Sequence, residues 1–78
     1  MKMMNIAKVT GKGFAQSLGK LDRQINEIKG LVDAGKVSKS QYRQIKGLRN
    51  KYAGTQIVGT GLKAKEKAER VLKKARSA

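Results

Sequence analysis

The chain has 78 residues, of which 19 are Lys or Arg and five are Asp or Glu, giving a formal charge of +14 at neutral pH. It has no Cys, so disulfide staples are excluded, and with no His either a structural zinc site lacks its usual ligands. A chain this short buries only about 60% of its unfolded surface, and one Phe, two Tyr and no Trp make a thin core. Folding is therefore expected to draw on oligomerisation or on a bound polyanion.

The positive charge is uneven. Residues 1–34 hold six basic and three acidic residues, residues 35–54 six basic and none acidic, and residues 55–78 seven basic and two acidic. A free chain with this surplus repels itself, so an anionic partner is the simplest reason to carry it. Nucleic acid is the leading candidate, with an anionic membrane surface second. No apolar run approaches the ~20 residues of a membrane span, and Met1–Lys8 lacks the sustained apolar stretch of a signal peptide. The cytoplasm, or the inside of a virus particle, is the expected location.

Residues 1–13 show no period and include Thr10-Gly11-Lys12-Gly13, which reads as a flexible basic arm. A helical hairpin is then expected over 14–53. In its first helix Phe14, Leu18, Leu21, Ile25, Ile28 and Val32 are spaced 4, 3, 4, 3, 4, a narrow apolar stripe. Such a stripe either faces the chain's own core or serves as a seam for self-association or for a partner. Gly35 is placed to end this helix in a left-handed cap. Ser38-Lys39-Ser40-Gln41 fits a capping box that opens the second helix, with Val37 stapling the corner against Gln41 or Tyr42. Tyr42, Ile45, Leu48 and Tyr52 form the apolar face of that helix.

Residues 54–61, "GTQIVGTG", break the helical pattern and read as a Gly-rich linker. A basic amphipathic helix is expected over 62–78, with Ala64, Ala68, Val71, Leu72 and Ala75 on its apolar side. Glu66–Arg70 and Glu69–Lys73 are i,i+4 pairs in the favourable order. An Ala-rich face offers shallow packing, so this helix is expected to form fully only on a partner.

On the second helix Lys39, Arg43, Lys46 and Asn50 repeat at 4, 3, 4, with Arg49 beside them; on the third, Lys63, Lys67, Arg70 and Lys74 repeat the spacing. Coherent basic ridges of this kind suit phosphate contacts, each of which releases counterions. Any Lys-rich amphipathic helix shows stripes, but the second helix has no acidic residue to balance its ridge. Reading bases would require Gln41, Arg43 and Gln44 presented at a helix N-terminus in a defined fold, and aromatics are too few for a stacking platform.

An enzyme is not expected. Asp22, Glu27, Asp33, Glu66 and Glu69 are scattered among lysines, with no acid/base pair or metal spacing and no cofactor motif. Gly54–Gly59 has the glycine spacing of a phosphate loop, but Thr60-Gly61 stands where Lys-Ser/Thr is required. Asp33 opens no calcium loop, because Gly35, Val37 and Lys39 occupy the ligand positions. "GKVSKSQYRQI" is similar to the turn and recognition helix of bacterial repressors, with Lys36 as one residue too many. Ile28…Leu31, Ala34-Gly35-Lys36-Val37-Ser38, Gln41-Tyr42, Lys46 and Leu48 together resemble the SHOCT module, a short helical hairpin, over about 25 residues. That resemblance implies a compact hairpin with a role in oligomerisation and no catalytic residues. The chain departs from the family in carrying Lys39, Ser40 and Gln41 where the family is rich in Glu.

The sequence thus predicts an all-α protein: flexible arm, helical hairpin, linker, basic C-terminal helix. Its expected function is non-sequence-specific nucleic-acid binding and charge neutralisation through Lys39, Arg43, Lys46, Arg49, Lys63, Lys67, Arg70 and Lys74. The stripe Phe14, Leu18, Leu21, Ile25, Ile28 and Val32 would supply homo-oligomerisation. An assembly protein docking its apolar faces on a larger partner, such as a capsid subunit, is the alternative, and a sequence-specific helix-turn-helix is a third reading.

Overall fold

The structure, a computed structural model, describes residues 7–77 and is all-α. Three helices follow one another: α1 (Gly11–Asp33), α2 (Lys39–Thr55) and α3 (Val58–Ser77). Each packs on the other two. Arg49 pairs with Asp22, and Tyr52 with Ser17, so α2 runs antiparallel to α1. Arg76 near the end of α3 reaches Glu27 in the second half of α1, so α3 runs parallel to α1. The result is an up-down-up bundle.

The corner between α1 and α2 follows from local chemistry. Gly35 sits at φ +77°, a conformation that costs any residue with a Cβ about 1–2 kcal/mol. It closes a Schellman motif, in which Lys36 N–H donates to the Leu31 carbonyl (2.8 Å) and Gly35 N–H to that of Val32 (3.0 Å). Ser38 then caps α2, its Oγ accepting from the Gln41 N–H at 3.2 Å. The expected capping box is only half made: the Gln41 side chain takes a hydrogen bond from the Ser38 hydroxyl (3.4 Å) rather than from its backbone. Val37 is buried and turns toward Val71 and Ala75 of α3 as well as Gln41.

The second corner departs from the sequence reading. Residues 54–61 are not a linker: α2 continues to Thr55, α3 begins at Val58, and only Gln56 and Ile57 lie between them. Gln56 takes a left-handed conformation (φ 58°), and its N–H closes α2 on the Tyr52 carbonyl at 2.7 Å. The Ile57 carbonyl accepts from Thr60 and Gly61 N–H, opening α3. Three glycines suggested a flexible segment, yet all three are helical.

Of the arm expected over 1–13, residues 1–6 lie outside the described residues and 11–13 belong to α1. Ala7–Thr10 is extended and clipped to the second corner. Val9 N–H donates to the Gln56 carbonyl (2.9 Å), Val58 N–H to that of Ala7 (2.8 Å) and Gln56 Nε2 to that of Val9 (3.1 Å). Lys8 and Ile57 thus form an isolated antiparallel bridge.

The core gathers Leu21, Ile25 and Ile28 of α1, Val37 of the corner, Ile45 and Tyr52 of α2, and Ala64, Ala68, Val71, Leu72 and Ala75 of α3. Phe14, Leu18 and Val32 are half-buried against it. Of the stripe read as a self-association seam, Leu21, Ile25 and Ile28 are therefore buried within the chain's own core, while Phe14, Leu18 and Val32 stay half-buried at its edge. The α3 expectation is corrected too. Its alanine face is the most completely buried part of the helix, with Ala64 and Ala68 at 0% exposure. Side chains that end at Cβ let α3 sit close against both neighbours, α1 and α2.

Candidate nucleic-acid interface

Around α2, at about 100° per residue from the buried Ile45, the polar positions fall into two groups. Lys39, Arg43 and Lys46 lie on the flank nearer α1, where Lys46 and Tyr42 line a groove with Asp22, Ile25, Asn26, Lys29, Arg49 and Asn50. The Lys46 ammonium stands 5.6 Å over the ring of half-buried Tyr42. Gln44 and Lys51 lie on the opposite flank, nearer α3.

The α3 ridge sits beside that second flank. Gln41 and Lys36 share a groove with Val71, Lys74 and Ala75, and Gly61 lies against Tyr52 at the other end. This antiparallel alignment sets Lys51 level with Lys63 and Gln44 level with Arg70. Lys63, Lys67 and Lys74 therefore face across the α2–α3 groove, all exposed except half-buried Lys67. Arg70 marks the boundary of this surface, sharing a shallow depression with Glu66, Glu69 and Lys73 on the far side of α3.

The two ridges are thus two flanks of one surface, with the exterior of α2 between them, rather than a single stripe. No residue of α2 is acidic, and none of its charged side chains is buried. The structure adds Lys36 and Lys51 to the residues singled out in the sequence. Neither belongs to a 4, 3, 4 repeat, and only the register of α3 against α2 reveals them.

Arg49 leaves the set. Its Nε and Nη2 donate to the two carboxylate oxygens of Asp22 at 2.7 and 3.1 Å, a bidentate clamp between α2 and α1. These hydrogen bonds raise its pKa above the ordinary arginine value, with partial burial opposing and the Asp22 charge adding. A guanidinium held this way has few donors left for phosphate. Arg76 is likewise engaged, with Glu27. The pairs expected along α3 are not the ones that form: among the described residues the salt bridges are Arg49–Asp22 and Arg76–Glu27, both tying α1 to a neighbour.

Two of the three aromatic side chains, Tyr52 and Phe14, are engaged with one another at the core, and Tyr42 is half-buried at the groove beside Lys46. Tyr52 is 1% exposed, its hydroxyl donating to Ser17 Oγ at 3.0 Å. The Phe14 ring meets it edge-on, centroids 5.2 Å apart. A wider open groove between α1 and α3, about 590 Å³, mixes Lys20, Arg23 and Lys65 with Glu69 and converges on no reactive group. Among the described residues no three metal-ligating side chains come together, and no helix is long and apolar enough to cross a membrane. No family model, curated protein or solved structure matches the chain.

Proposed function

We propose that the protein binds nucleic acid without sequence specificity, through phosphate contacts that neutralise charge. One observation carries this reading: the exterior of α2 and the adjoining side of α3 present Lys36, Lys39, Arg43, Lys46, Lys51, Lys63, Lys67 and Lys74, and α2 has no carboxylate. A rigid surface of one sign raises the local counterion concentration and is used most simply on a polyanion. Compaction of a genome inside a virus particle is a setting suited to so small and basic a chain.

Base reading has less support. α1 and α2 stay side by side from their corner to Tyr52–Ser17 and Arg49–Asp22 in the halves away from it, rather than crossing steeply as in a helix-turn-helix. Gln41, the first candidate reader, is half-buried and engaged with Ser38. The assembly reading has less apolar surface to use, since half of the α1 stripe is inside and Leu62 (54% exposed) is the exposed large apolar side chain among the described residues. The hairpin likened to the SHOCT module contributes architecture in this reading, with the charge on α2 supplying the contacts.

The test is a filter-binding titration over a salt series with two unrelated sequences of equal length. We expect equal affinities for both and a steep fall with salt. Affinity that ignores salt, or absence of binding at low salt, would sink the proposal.

A further inference from the structure

We infer that the polyanion is a duplex rather than a single strand, and that the two flanks of α2 engage its two phosphate strands. This rests on the nucleic-acid reading above and sharpens it.

The first argument is the placement of the rings. Single strands are held by bases stacked on exposed aromatic side chains along a basic groove. Here Tyr52 is in the core, Phe14 packs on it, and Tyr42 is half-buried with the Lys46 ammonium over its face. The basic surface offers one half-buried ring, Tyr42, already covered by the Lys46 ammonium, rather than the row of exposed rings along which successive bases stack.

The second argument is the layout of charge. One line, Lys39, Arg43 and Lys46, shares by its 4, 3 helical spacing the flank of α2 on which Lys46 lines the groove with α1. The other, Lys51 with Lys63, Lys67 and Lys74, follows the α3 side, where the groove between the helices is bordered by Lys74 and Lys36. Packed helices sit about 8–10 Å apart, with side chains reaching about 5 Å from each axis. The two lines are therefore separated by a distance on the order of the 12 Å width of a B-form major groove. A duplex presents two phosphate strands at that scale, whereas a single strand can follow only one line at a time. The bundle cannot readily fold the lines together, because α2 and α3 are locked through buried Ile45, Tyr52, Ala64, Ala68 and Val71.

Seven contacts to a duplex give a slope of log K against log salt of about −6, whereas three or four contacts to a single strand give about −2 to −3. The measurement is fluorescence anisotropy with a labelled 20-base-pair DNA duplex and each of its separated strands, across a salt series. We expect duplex binding at least tenfold tighter at equal salt, with the steeper slope. Equal or tighter binding of the single strands overturns the inference and leaves the nucleic-acid reading standing. Failure of all three probes to bind overturns both.

Two further variants test the two-flank arrangement, with helicity checked by circular dichroism. One replaces Lys39, Arg43 and Lys46 by Gln, and the other replaces Lys51, Lys63, Lys67 and Lys74 by Gln. Each should cost the duplex more than tenfold and bring the duplex-to-single-strand ratio toward one. A flank whose removal leaves that ratio unchanged shows that one line of charge suffices, which overturns the inference.

Discussion

A Cβ built on Gly61 would lie 2.6 Å from Tyr52 Cε1 and 2.8 Å from its Cζ, so the first turns of α3 pass directly against a buried ring. No side chain fits between them. The glycine that looked like a linker residue is a helix residue chosen for its lack of volume. It lets Tyr52 fill the centre of the bundle while still reaching Ser17.

Gly61→Ala is accordingly expected to destabilise the protein by about 1–3 kcal/mol through overpacking, although alanine is the better helix former. Gly47 lies in mid-helix with nothing within 4 Å of a built Cβ. There the same change should stabilise by up to ~1 kcal/mol. Urea unfolding of the two variants should give opposite signs, and a stabilising Gly61→Ala would contradict the close approach.

Tyr52→Phe keeps the ring and removes the hydroxyl that bonds Ser17 at 3.0 Å. Its expected cost is about 1 kcal/mol. Tyr52→Ala empties one of the three largest fully buried sites and should cost about 3–5 kcal/mol. Thermal melts resolve the two, and a negligible effect of Tyr52→Ala would place the ring outside the core.

Arg49→Gln separates structure from binding. The side chain is clamped on Asp22 in a pair that is 30% and 46% exposed, so its loss should cost no more than about 1 kcal/mol. Nucleic-acid affinity and its salt slope should stay near those of the parent. Lys67→Gln should instead lower both. A fall in slope on replacing Arg49, equal to that on replacing Lys67, would return the arginine to the interface.

Ser38→Ala removes the oxygen that accepts the Gln41 N–H. A loss of about 1 kcal/mol is expected, without change in binding, since no phosphate contact is assigned to Ser38. Hydrogen exchange at the start of α2 should report the fraying.

The hairpin was legible because its signals are local. Gly35 and Ser38 act within one turn, and the 4, 3, 4 spacing from Phe14 to Val32 fixes which side of α1 is apolar. What that side packs against depends on α3, and small residues give α3 little hydrophobic signal: Ala64, Ala68 and Ala75 look like a weak face until their neighbours are known. The false linker has the same origin, since glycine propensity is a local prior and the ring of Tyr52 is a tertiary fact. For the proposed interface, spacing singled out both basic ridges. Spacing alone could not separate Arg49 from them, because Asp22 lies 27 positions away. Nor could it admit Lys51, whose neighbours belong to another helix.

The pairing of Ala7–Thr10 with Gln56 and Val58 closes the chain into a ring of nearly fifty residues holding α1 and α2. Contacts of such long sequence separation form after the local turns and slow the search for the native state. The segment before α1 is therefore a latch on the α2–α3 corner. A chain shortened to begin at Gly11 would lose the three hydrogen bonds described there, and with them the Thr10 carbonyl that accepts from the Phe14 N–H at the start of α1. Gln56 would then be left in a strained conformation with less to hold it. Because that corner sets how α3 lies along α2, the spacing of charge on the outside of the protein is governed in part by four residues that carry a single charge among them.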